Sequence, residues 1–106
     1  MTNVVFYAQN GNITGFKIEG HSGYGQAGSD IVCAAISSVA QATIMGLEEV
    51  ANVPMDVDVK EGFLKATLAS HSQKYLSKSS VLLKTMKLAL EDIAGQYSDY
   101  MSVQTA

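Results

Sequence analysis

The sequence predicts an α+β protein of two layers, a mostly antiparallel or mixed sheet with two packed helices in the order ββαββα(β). Three observations carry that prediction. Two pairs of short runs with alternating apolar residues are each joined by a turn signal, Asn10-Gly11-Asn12 in one and Glu61-Gly62 in the other. Each pair precedes a longer stretch in which apolar residues recur at helical spacing. The 106 residues also fit one domain, 1-106, within the roughly 100 to 200 residues usual for one.

The first strand is Thr2 to Ala8, where Val4, Val5, Phe6 and Tyr7 supply the β-branched and aromatic side chains that suit a pleated surface. After the Asn-Gly turn, Ile13 to Gly20 alternates Phe16 and Ile18 with Lys17 and Glu19, as a half-buried strand does. His21 to Asp30 is too rich in glycine for either regular element and reads as a mobile loop. From Ile31 to about Ala51, Val32, Ile36, Val39, Ala40, Leu47 and Val50 share one helical face. Asn52-Val53-Pro54 ends that helix, because proline lacks an amide proton and disfavours helix in the residue before it.

Met55, Val57 and Val59 then alternate with Asp56, Asp58 and Lys60, and Phe63 to Ala69 returns as the second arm of a hairpin. Serine-rich Ser70 to Ser80 leads into a second helix. It buries Leu82, Met86, Ala89, Leu90, Ile93 and Tyr97 and ends near Gly95. Tyr100 to Thr105 adds a short last strand.

Composition narrows the function classes. A hydrophobic share of 47% with one proline argues against disorder and collagen. Seven basic residues against ten acidic ones leave a net charge of −3, so no broad basic surface for nucleic acid is expected. Cys33 stands alone in the sequence, which excludes an internal disulfide and a multi-cysteine zinc site. Met1 to Asn10 lacks the basic and apolar regions of a secretory signal. The apolar stretch Ile31 to Leu47, interrupted by Ser37, Ser38, Gln41 and Thr43, falls short of the ~20 residues of a membrane span. A cytoplasmic protein without membrane contact is the expectation.

Chemistry concentrates between His21 and Cys33. His21 ends a strand and Cys33 begins a helix. With Asp30 as N-cap, Cys33 becomes the third helical residue, its amide donating to the Asp30 carboxylate. The positive end of a helix favours anions, a thiolate among them, although a carboxylate aimed at the sulfur opposes this. His21 is the candidate ion-pair partner and general base. Taken locally, Cys33 among Val32, Ala34, Ala35 and Ile36 fits a small core residue as well as a nucleophile. His71 is a rival partner for Cys33, but it follows a distant strand, and its place between Ser70 and Ser72 reads as a solvated loop.

A competing motif, Gly23-Tyr24-Gly25-Gln26-Ala27-Gly28, matches the glycine spacing of phosphate-cradling loops. Its hairpin context, the absence of a strand-end acid about 20 residues on, where Glu48 and Glu49 are still in helix, and the carboxylate of Asp30 argue against a dinucleotide. Asp56 and Asp58 read as solubilising and Lys74, Lys78, Lys84 and Lys87 as a solvated face.

At Gly20-His21, followed after eight residues by Asp30-Ile31-Val32-Cys33-Ala34-Ala35 and then Ser37, the chain resembles the bacterial ribosomal-processing cysteine protease family. The resemblance implies that Cys33 is the nucleophile and His21 its base, with Asp30 and Ser37 in supporting roles. It implies that Ser22, Gly23, Tyr24, Gly25, Gln26, Ala27, Gly28 and Ser29 form a flexible substrate loop. One departure is Ser22, where many members have alanine. Also implied is a homodimer that removes the N-terminal extension of the large-subunit ribosomal protein twenty-seven, behind an aromatic residue, through a thioester and with no metal or organic cofactor. Amides at the helix start are the expected oxyanion donors. The alternative is a ribosome-associated module that binds the peptide without cleaving it.

Overall fold

A computed structural model describes residues 1–21, 23–26 and 30–106. Among the described residues, seven regular elements follow the expected order: β1 (Thr2–Gln9), β2 (Asn12–Glu19), α1 (Ile31–Met45), β3 (Met55–Lys60), β4 (Phe63–Leu68), α2 (Gln73–Gln96) and β5 (Met101–Thr105). The strands form one sheet in the order β3-β4-β2-β1-β5. Hairpin partners run antiparallel, β2 pairs antiparallel with β4, and β5 joins β1 in parallel. The sheet is therefore mixed and the class α+β, as predicted.

Period-two alternation sorts the strands into two faces. Phe6 lies opposite Phe16, and Phe16 opposite Ala66, all fully buried. Their neighbours Val4, Leu68 and Met101 extend this apolar face, onto which Val32, Ile36, Ala40 and Leu47 of the first helix and Leu83, Met86 and Leu90 of the second pack. The opposite face carries Asn3, Lys17, Glu19, Asp58 and Lys65 in register. Helix α1 lies beside α2, and α2 spans β2 and β5. On edge strand β3, Met55 packs against the core while Val57, 41% exposed, and Val59, 68% exposed, lie in the open.

Some expectations require correction. Val50, expected on the buried face, is 80% exposed. The last turn, Gly46–Val50, is a π-turn, closed by Ala51 N donating to Gly46 O at 2.8 Å, and the extra residue per turn rotates Val50 outward while Leu47 stays inside. The helical run thereby reaches Val50 and, at 20 residues and mean hydropathy 1.5, is long and apolar enough to cross a membrane by length and composition. Its buried residues pack on the sheet, while Ser37, Ser38, Gln41, Glu48 and Glu49 are exposed. The serine tract is largely helical: α2 starts at Gln73, and buried Ser79 donates to Leu76 O at 3.2 Å. Leu83 is fully buried, while Leu82 and Ala89 are half-buried.

Phe16→Ala is expected to destabilise the fold by about 3–5 kcal/mol, whereas Val50→Ala stays within about 0.5 kcal/mol of the parent. Urea unfolding midpoints check both.

Candidate active site

Asp30 adopts an extended conformation, φ −76° and ψ 108°, and its Oδ1 accepts hydrogen bonds from Val32 N at 2.9 Å and Cys33 N at 3.0 Å. This N-cap sets where the helix begins and so which way its first residues point. Cys33 is half-buried, between the fully exposed and fully packed faces of α1. Ser37 follows one turn later on the same side, and its Oγ accepts from Gln41 Nε2 at 2.9 Å. That acceptor role leaves the Ser37 hydroxyl proton able to donate elsewhere.

His21 is aimed by two glycines. Gly20 has φ +96° and donates to Gly62 O at 2.9 Å, and a Cβ on it would overlap the Met1 carbonyl oxygen. Gly62, φ +68° in the β3–β4 turn, leaves room for the imidazole: a Cβ there would come within 3.1 Å of His21 Nε2. The ring thus leans on the tip of the second hairpin.

Two hollows share His21, Cys33 and Ser37. The first, about 280 Å³, is walled by Ile18, Ile36, Val59, Phe63 and Leu64 and is mainly apolar. The second, about 440 Å³, is bordered by Gly23, Gly25, Asp30, Ala34 and Glu61. A thiol, an imidazole and a hydroxyl therefore border one cleft, beside an apolar hollow large enough for a side chain.

The structure thus brings together His21, Asp30, Cys33 and Ser37, with Gly23 and Gly25 in the cleft wall. Tyr24 instead meets Tyr97 and Tyr100, ring centroids 5.5 and 5.0 Å away. Gln26 is exposed. Ser22, Ala27, Gly28 and Ser29 lie outside the described residues. His71 is remote from the cleft, with Nδ1 3.1 Å from Gln9 Oε1. Asp56 and Asp58 are exposed, Asp58 pairing with Lys60 at 3.7 Å. Among the described residues, no three His, Cys, Asp or Glu side chains gather as a metal site.

Glu61, Val59, Phe63 and Gln41 border the cleft without having been expected there. The first three come from the second hairpin, more than 25 residues beyond Cys33, and nothing local announces that approach. Two of the helix-start amides expected to hold the oxyanion, those of Val32 and Cys33, donate to Asp30 Oδ1 in this structure.

Asp30→Ala is expected to cost about 1–2 kcal/mol, with Asp30→Asn recovering part of it because an amide oxygen still caps the helix. Chemical denaturation distinguishes the two.

The family model described as Cysteine protease Prp matches residues 1–102. No curated protein matches the chain in sequence. Among solved structures, an essential ribosomal processing protease Prp from S. aureus, in complex with a covalently linked product peptide, superposes with a TM-score of 0.90 at 21% identity over 100% of both chains. The same protease in complex with a substrate peptide gives 0.84 at 20% identity, again over 100% of both. SMU.848 from Streptococcus mutans gives 0.81 at 26% identity, covering 99% of this chain and 93% of that one. The S. aureus likenesses show a shared fold, and the family match extends along nearly the whole sequence. The chain belongs to the Prp family of cysteine proteases.

Proposed function

We propose that this protease removes the N-terminal extension of the large-subunit ribosomal protein twenty-seven, with Cys33 as nucleophile and His21 as base. The observation that carries this reading is that Cys33 and His21 border one cleft, next to an apolar hollow, in a chain of the Prp family. The S. aureus relatives support the substrate class, being described as ribosomal processing proteases holding a substrate or a covalently linked product peptide. The hollow walled by Ile18, Ile36, Phe63 and Leu64 suits an aromatic side chain on the acyl side of the cut bond.

In this reaction His21 takes the proton from Cys33 Sγ, and the thiolate attacks the carbonyl carbon. The oxyanion is held by the Ser37 hydroxyl, which has a proton to give while Gln41 donates to its oxygen. Collapse expels the amine, which takes its proton from the His21 imidazolium and leaves a thioester. His21 then deprotonates a water that attacks the thioester, releasing the acid and the thiol. Asp30 supports the nucleophile by holding the start of its helix. The same reading makes the protein a cytoplasmic homodimer that acts without metal or organic cofactor and without contacting nucleic acid.

Cys33→Ala is expected to abolish cleavage of the extended ribosomal protein, followed by mass spectrometry, while the variant still binds the peptide. Binding without thiol-dependent turnover by the unmodified chain would instead establish a peptide-binding module. Ser37→Ala is expected to lower kcat roughly 10²–10³-fold with little change in KM, the signature of a lost oxyanion donor.

A further inference from the structure

We infer that Tyr24 is a positioning residue for peptide cleavage: its ring, clasped by Tyr97 and Tyr100, holds the backbone of Gly23 and Gly25 in the cleft wall beside Cys33. The inference rests on the proposed protease reading and concerns how its site is kept in shape.

Gly23 and Gly25 border the hollow that contains Cys33 and His21 and contribute nothing but backbone to it. Glycine backbone has little conformational preference of its own, and Gly23 adopts φ +74°. Something must therefore choose its path. Tyr24, between the two, presents its ring to two others in edge-to-face geometry, at 87° to Tyr97 and 77° to Tyr100, with centroids 5.5 and 5.0 Å away. That arrangement is favoured for aromatic pairs beyond the area they bury.

The two receiving rings are anchored by backbone. Tyr97 N donates to Ile93 O at the end of α2, and Tyr100 N and Met101 N donate back to Tyr97 O. Thr2 N then donates to Tyr100 O at 2.9 Å, just before β5 pairs with β1. Through Tyr24 the cleft wall is thus joined to the central sheet. A further tether, Gly25 N donating to Asp30 Oδ2 at 3.3 Å, acts on the same stretch of wall. Since Tyr24 is 44% exposed, its truncation leaves the core intact.

The test compares Tyr24→Ala and Tyr24→Phe with the parent in three measurements: kcat/KM on a peptide carrying the ribosomal extension, the rate of Cys33 alkylation by iodoacetamide, and water exchange of the Gly25 amide by NMR. Tyr24→Ala is expected to lower kcat/KM about tenfold and speed Gly25 exchange by a similar factor, with alkylation within about twofold of the parent. Tyr24→Phe, which keeps the clasp, is expected to match the parent in all three. Unchanged kcat/KM in Tyr24→Ala overturns the inference. So does an equal fall in alkylation, which marks a disturbed thiol. A fall in kcat/KM with Gly25 exchange unchanged also overturns it, since the ring then touches the peptide itself. If the parent does not cleave the peptide, the proposed function fails, and Gly25 exchange still decides whether Tyr24 holds the wall.

Discussion

The carboxylate of Asp30 is the contact on which the site depends most. By accepting the amides of Val32 and Cys33 it starts α1 at one residue and no other. A helix whose first turn is fixed has its whole angular register fixed. Val32, Ile36 and Ala40 are then turned into the core, and Cys33 and Ser37 toward the cleft. The same carboxylate accepts from Gly25 N, so one group touches both the loop wall and the start of the helix that carries the sulfur.

The opposite wall is built by a different means. Two hairpins end side by side, joined by Gly20 N donating to Gly62 O. Positive φ at both glycines turns the chain sharply enough for His21 to leave β2 and lean on the β3–β4 turn. Val57 and Val59 of β3 remain exposed, and the cleft is open on that side.

Where the sequence was legible, the reason was local. Alternation in β1, β2 and β3 and the Asn-Gly and Glu-Gly turns are short-range signals, and the hairpins follow them closely. Asp30 three residues before Cys33 is likewise a local capping pattern. The errors arose where spacing alone was extrapolated. Val50 lies on the apolar face of an ideal α-helix, but the π-turn at Gly46–Val50 shifts it out. The serines before α2 look like loop residues by propensity, yet the packing of Ser79 beside buried Leu83 draws most of them into helix.

Residue patterns alone were enough for the two-layer α+β class, the element order, and the placing of a histidine at a strand end and a cysteine at a helix start. Those follow from periodicity, turn chemistry and capping, which act over a few residues. It took packing in three dimensions to set β5 parallel to β1, to bring Val59, Glu61 and Phe63 to the cleft wall, and to turn Tyr24 toward Tyr97 and Tyr100. Those contacts join residues far apart in the chain, and their geometry depends on how sheet and helices pack together rather than on any neighbour in sequence.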